Sequence, residues 1–380
     1  IRNFSTRKND RGHWLLATNG RIRSGCCLMN ESNKPISVTK APSLKERGVI
    51  LDIGRKFYSM DFLKKLVDYM ASLKMNALQL HFSDNEGFRL ECETIPEITS
   101  EKFLTKQEMT DLIDYAEQKG ISVIPEFDSP GHLQRLLAIY PQWQMEREGE
   151  DSLIFPTNRA LDITKKDAVT MIKKMIKEYA ELFHRSDYFH LGADEYIEFS
   201  ELDKYPALKA QAIAEYHDPT RQYDVFIDYI NELADYVETL GKKARIWNDG
   251  VYKKGLLMKS KLKPSIQITY WTKHQATMAT AGKFLTRDHQ LINVNDQFFY
   301  FVLGEGASYK YPTAQKIQDH WTIDQFPENQ RLTNEQMKKV QGAYFAIWSD
   351  YPDALTEEEV LTMIKEPLAA QQQIIWHETI

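Results

Sequence analysis

The chain has 380 residues, 42% of them apolar, 12% aromatic and 27% charged, a composition that fits a folded globular protein and not a disordered or fibrous one. The 54 acids against 48 Lys and Arg leave a net charge of −6. With no basic stripe suited to a phosphate backbone and no apolar run as long as a membrane span, nucleic acid and the bilayer interior are excluded as partners.

The chain starts at Ile1 without an initiator Met or a basic-then-apolar leader, and so reads as a processed or excised piece of something longer. Residues 1–43 are polar and basic, with a hairpin expected between Trp14 and Met29, and read as the remnant of a preceding region. Cys26, Cys27 and Cys92, an odd number with two adjacent, do not look like a disulfide framework. From Gly48 onward, short β-branched or apolar runs alternate with longer amphipathic stretches. Strands are predicted at 49–53, 77–82, 122–127, 188–191, 244–247, 266–271, 291–294 and 344–348, separated by helices such as 60–73, 106–119, 166–183 and 224–240. Gly120 suits the C-terminal cap of the second of these helices. Length alone allows one large barrel or two to three domains. Eight βα units without a linker point to a single (β/α)8 TIM barrel over 44–380 with a short N-terminal extension, and its active site is expected at the C-terminal ends of the strands. The long segment 196–222 is expected to form a lid or subsite wall.

The fourth strand, Tyr188-Phe189-His190-Leu191, runs through Gly192-Ala193 into Asp194-Glu195. Strand alternation would put His190, Gly192 and Asp194 on one face. Two acids forced together cannot both ionise freely, so one holds its proton and is fit to act as a general acid. A bare acid pair is more often a solvated loop start; its neighbours argue otherwise. The first strand is preceded by Glu46-Arg47 and followed by Arg55, which alone would read as surface charge. The second runs into His81-Phe82-Ser83-Asp84-Asn85-Glu86-Gly87-Phe88-Arg89, and the third into Pro125-Glu126-Phe127-Asp128-Ser129-Pro130-Gly131-His132. His81, His132 and His190 make no His-x-His or His-Glu-x-x-His pair, so no metal site and no cofactor is expected. Trp247, Trp271 and Trp348 each end a strand. One such tryptophan is ordinarily core, but three at one rim suit stacking on the C–H faces of a pyranose, with Asp350 placed to accept from its hydroxyls.

Together these residues resemble glycoside hydrolase family 20, the β-N-acetylhexosaminidases, in the strand end His-x-Gly-x-Asp-Glu at 190–195. The likeness extends to Arg-Gly then Leu-Asp-x-x-Arg (47–55), His-x-Ser-Asp-x-x-Gly-x-Arg (81–89) and Pro-Glu-Phe-Asp-x-Pro-Gly-His (125–132). Trp247-Asn248-Asp249-Gly250, Tyr270-Trp271-Thr272-Lys273 and Asn293-Val294-Asn295 followed by Tyr300 are similar to Gram-positive surface hexosaminidases. The resemblance implies exo-hydrolysis of terminal β-linked GlcNAc or GalNAc from glycans, with retention, the substrate's own acetamido oxygen acting as nucleophile. It implies that Glu195 protonates the leaving oxygen and later activates water, that Asp194 holds the acetamido N–H, and that Tyr300 bonds the acetamido oxygen. Arg47 and Asp350 would grip the sugar hydroxyls, Trp247, Trp271 and Trp348 would wall the pocket, and Asp84, Asp128, His132 and His190 would support it. A secreted or cell-surface bacterial setting follows from the same likeness. Many relatives carry Glu where Asp350 stands, one methylene longer, and the family's small N-terminal α/β domain is largely missing ahead of the barrel. Release of a disaccharide, as by lacto-N-biosidases, and a non-catalytic glycan-binding barrel remain alternatives. So do a metal-dependent hydrolase and an ordinary retaining glycosidase, which needs a second carboxylate about 5 Å from the acid.

Overall fold

The computed structural model describes residues 41–377 and, before them, four short strand segments: Thr6–Lys8, Trp14–Leu16, Leu28–Met29 and Pro35–Ile36. The chain divides into two compact units, 1–42 and 43–380. In the first, Trp14–Leu16 pairs antiparallel with Thr6–Lys8, and Leu28–Met29 with Pro35–Ile36. The hairpin expected between Trp14 and Met29 is therefore not formed, each strand having a nearer partner in sequence. Cys26 and Cys27 lie outside the described residues; Cys92 is a buried free thiol.

The second unit is a closed parallel barrel of β1 (Glu46–Asp52), β2 (Ala77–His81), β3 (Ser122–Ser129), β4 (Tyr188–Gly192), β5 (Lys243–Trp247), β6 (Gln267–Tyr270), β7 (Leu291–Asn293) and β8 (Val340–Trp348). Each strand pairs with the next, and β8 closes onto β1. Barrel strands are covered on both faces, so they read as nearly unbroken apolar runs. Alternation still sorts them. On β1, Val49 and Leu51 join the large core under the helices, whereas Ile50 points inward with Ala77, Ile124, Ile292, Tyr344 and Ala346.

The helices that complete the layer are α1 (Met60–Ser72), α2 (Lys106–Glu117), α3 (Lys166–Leu182) and α4 (Gln222–Thr239), with shorter ones after β6, β7 and β8. Ser59 caps α1 through the Phe62 N–H, and Thr105 with Glu108 forms a capping box on α2. Gly120 follows α2 at φ +73°, a left-handed turn open to glycine at no steric cost. One expectation fails: no helix lies between β5 and β6, where 248–266 runs as turns. The segment 196–222 holds a helix, Pro206–Tyr216, packed on α4. None of the described helices is long and apolar enough to cross a membrane.

The N-terminal end of the barrel is plugged by a charged side chain. Arg245 of β5 is fully buried, donates twice to Glu46 on β1 at 2.7 and 2.8 Å, to the Tyr344 hydroxyl on β8 at 3.0 Å and to Gln267 on β6 at 2.9 Å, and lies 3.7 Å over the Tyr188 ring of β4. A buried pair of this kind is destabilised mainly when one partner is lost, because the other charge stays behind. Arg245→Met is expected to cost roughly 3 kcal/mol of stability, measured as a lowered denaturation midpoint, while the KM of the distant pocket stays unchanged.

Candidate active site

The opposite end carries a pocket of about 480 Å³ lined by Arg55, His81, Asp84, His132, Asp194, Glu195, Trp247, Trp271, Tyr300, Trp348 and Asp350 among others. Its residues come from the C-terminal ends of all eight strands and the loops after them, the place a barrel keeps its chemistry. β4 ends at Gly192, so Asp194 does not arrive by strand alternation as expected: Gly192, Ala193 and Glu195 all have positive φ, at +72°, +71° and +45°. This turn is held by the Ala193 N–H on the Ser129 carbonyl at 3.1 Å and the Glu195 N–H on Asp249 at 3.1 Å. A Cβ at position 192 would stand 1.6 Å from Asp128 Oδ1, which accounts for the glycine. Asp128 reaches that point because β3 bulges between Glu126 and Ser129 against β4.

The side walls are aromatic. Trp271 and Tyr300 stack with centroids 5.6 Å apart and planes 2° from parallel, and Trp348 meets Tyr300 edge-on at 5.8 Å. Trp247 forms the floor, its indole N–H donating to Glu126 at 2.7 Å, and Trp271 is fixed by Asp249 at 2.9 Å. Asp249 thus holds both a wall and the backbone of Glu195.

Charge is organised around two imidazoles. His81 bridges Asp84 at 2.8 Å and Glu126 at 3.1 Å. His132 stands 3.3 Å from Asp84 and 3.5 Å from both Asp194 and Glu195. Burial lowers both imidazoles, but Glu126 and Asp84 around His81, and Asp84, Asp194 and Asp128 around His132, raise them well above the usual histidine range. The acids around both rings therefore favour their positively charged forms. His190 differs: burial, with Arg245 and His81 adding to it, lowers it to about 4. Its Nδ1 accepts from the Gly192 N–H at 3.1 Å, so the neutral ring carries its proton on Nε2, 3.1 Å from the Thr269 hydroxyl.

Burial raises the carboxyl of Asp194 well above its normal range, assisted by Asp128, Asp249 and the adjacent Glu195. Burial, assisted by Glu126, likewise takes Asp128 to about 6. Burial also pushes Glu195 up, but His132, Arg159 and Arg55 outweigh it and hold the group at about 2. The two adjacent acids therefore do differ, as expected: their surroundings favour the neutral form of Asp194 and the charged form of Glu195. The clusters His81, Glu126, Asp128 and Asp128, His132, Asp194 each bring donor atoms within 4.8 Å.

Nine of the twelve residues singled out in the sequence line the pocket: Asp194, Glu195, Trp247, Trp271, Tyr300, Trp348, Asp350, Asp84 and His132. Asp128 and His190 lie buried just behind it. Arg47 is a correction. It sits near the start of β1, at the far end of the barrel, where its guanidinium is spent on the carbonyls of Leu44, Lys45 and Lys74 at 2.9–3.0 Å and lies 5.2 Å over Trp376. The pocket arginine is Arg55, paired with Asp52 at 2.9 Å and Asp84 at 2.8 Å. Its signal was available: in Leu-Asp-x-x-Arg the arginine follows the strand, and only a strand's C-terminal end faces the site. Glu126 and Asp249 lie inside motifs already noted, but their partners are remote in sequence.

A closed barrel whose C-terminal mouth sets two adjacent acids within aromatic walls is the architecture of a carbohydrate-cleaving enzyme. The chain belongs to glycosyl hydrolase family 20, whose catalytic domain matches residues 45–379. It is 28% identical over 343 residues to the lacto-N-biosidase of Bifidobacterium bifidum, covering 90% of this chain, and 25% identical over 337 residues to a beta-hexosaminidase of Porphyromonas gingivalis, covering 83%. The chain spans only 29% and 41% of those two proteins' lengths. Among solved structures, dispersin B superposes with a TM-score of 0.67 at 25% identity, over 87% of this chain and 99% of that one.

Arg55→Ala is expected to lower kcat/KM by roughly 10²-fold or more, the loss seen when a charged contact to substrate is removed from a water-excluded site. Arg47→Ala should lower the denaturation midpoint and leave kcat/KM unchanged. Steady-state kinetics and thermal unfolding of the two variants check the assignment.

Proposed function

We propose that the barrel is the catalytic domain of an exo-β-N-acetylhexosaminidase that releases terminal β-linked GlcNAc or GalNAc from glycans by substrate-assisted, retaining hydrolysis. One observation carries this reading: Asp194 and Glu195 are neighbours sharing one imidazolium, and they face a pocket walled by Trp271, Tyr300 and Trp348. An ordinary retaining enzyme sets its nucleophile across the sugar from its acid. Here the second carboxylate is consecutive with the first and backed by Asp128, a position suited to orienting an acetamido N–H. Tyr300, stacked against Trp271, is suited to receive the acetamido oxygen, and Arg55 with Asp350 to receive hydroxyls at the rim.

Catalysis needs a proton on Glu195 when the leaving oxygen is expelled. Glu195 has a side chain 36% exposed, so a sugar entering the pocket removes water from it, and loss of water raises a carboxyl. Once Glu195 takes the proton, ionised Asp194 stabilises the positive charge that grows on the acetamido group. Because the two acids are coupled, the bell-shaped pH dependence of kcat/KM belongs to the pair and to neither residue singly.

Wild type is expected to cleave 4-nitrophenyl β-GlcNAc and to leave the matching β-glucoside intact, because the glucoside lacks the acetamido nucleophile. Asp194→Ala and Glu195→Ala should each lose about 10²-fold or more in kcat. Equal cleavage of the glucoside would contradict substrate assistance. The match to a lacto-N-biosidase favours a second reading, release of a disaccharide. Product analysis on a β-linked glycan separates them, a free monosaccharide being expected.

A further inference from the structure

We infer that Arg159 is a positioning residue for Glu195, locking the acid/base in place and tying it to the segment that borders the leaving-group side of the pocket; this rests on the role of Glu195 proposed above. Glu195 occupies the left-handed region at φ +45°, a conformation that a residue with a side chain holds only where its surroundings impose it. Its N–H is taken by Asp249. Its carbonyl faces Arg159 Nη2 at 3.4 Å, and the same nitrogen stands 3.5 Å from the Glu195 carboxylate. One guanidinium therefore holds both ends of the residue. A 3.5 Å contact is long for a hydrogen bond and has room to shorten when the site closes on a substrate.

Arg159 is itself well anchored. Its carbonyl accepts from the Leu133 N–H at 3.0 Å, next to His132, so the imidazolium and the guanidinium that flank Glu195 are joined through one backbone hydrogen bond. Its side chain is 14% exposed. Nη2 also reaches the Ile154 carbonyl at 3.2 Å, and the guanidinium lies 5.5 Å from the Phe155 ring centroid. Phe155 lines a second small cavity that shares Glu195, Trp271 and His274 with the main pocket. Leu153 and Ile154 project into water at 101% and 66% exposure. The segment 151–157 is nonetheless ordered by its own hydrogen bonds, Ser152 Oγ accepting from Phe155 and Asp151 from Thr157. An acid that protonates the leaving oxygen must face the departing sugar, so the cavity and apolar lip beyond Glu195 lie where that sugar emerges.

The test separates positioning from mere structure by leaving group. Wild type, Arg159→Gln and Arg159→Lys are compared on the β-linked GlcNAc disaccharide, whose leaving sugar needs a proton, and on 2,4-dinitrophenyl β-GlcNAc, whose leaving phenolate does not. Arg159→Gln is expected to lose roughly 10- to 100-fold in kcat/KM on the disaccharide and less than about threefold on the activated substrate. Arg159→Lys, which keeps the charge, should recover part of the loss. The pH limbs set by the acid pair should move to higher pH in Arg159→Gln, because a cation beside the pair is gone. Equal losses on both substrates, or no change on either with both limbs unmoved, would overturn the proposal. Wild-type hydrolysis of the activated substrate separately tests the underlying reading; if wild type cleaves neither compound, that reading fails and the role of Arg159 falls with it.

Discussion

The mouth of this barrel buries more carboxylates than it can leave charged. Asp52, Asp84, Glu126, Asp128 and Asp249 are buried at or near the C-terminal strand ends with Asp194 half-buried beside them, and an unpaired buried charge costs several kcal/mol, so the arrangement of cations there decides the rest. His132 is the central one. Its ring stands beside Asp84 on one side and both members of the acid pair on the other, which ties the orientation of the pair to the charges behind it. His81 does the same one layer deeper, between Asp84 and Glu126, and Glu126 in turn fixes the indole of Trp247. The apolar walls of the pocket are thereby tied to its charges.

The opposite end shows the same physics with a different outcome. Arg245 is enclosed by Glu46, Tyr344, Gln267 and Tyr188, with every strong donor directed at an acceptor, so nothing is left to bind a ligand. At the mouth, His132 Nε2, Asp194 Oδ1 and Asp128 Oδ2 are buried without a hydrogen-bond partner. A saturated network makes a plug, whereas groups left unsatisfied around a pocket make a site ready for something polar. That contrast distinguishes the two ends of one barrel without reference to any relative.

Legibility from sequence followed the range of the interactions involved. Strands and long helices were visible because their apolar periodicity is local, and the bounds of α1, α2, α3 and α4 differ from expectation by one or two residues. The missing helix between β5 and β6 and the helix Pro206–Tyr216 were not visible. The first is a crossover that the barrel allows to be irregular, and the second is a short helix of weak amphipathicity held by its packing on α4. Arg47 was misread because two arginines flank one strand, and only the direction of that strand in the closed barrel tells which faces the site.

The sequence by itself determined the family, the barrel, the adjacency of Asp194 and Glu195 and the supply of aromatic walls, since each is written in short motifs at strand ends. Only the tertiary structure decided that the surroundings push the two acids in opposite directions, that Arg55 and not Arg47 lines the pocket, and that Asp249 and Arg159 grip the backbone of Glu195. Those are properties of burial and of charges brought together from residues 55, 84, 132, 159, 195 and 249. A pKa depends on the surrounding dielectric and on neighbours in space, and neither has a period or a spacing along the chain.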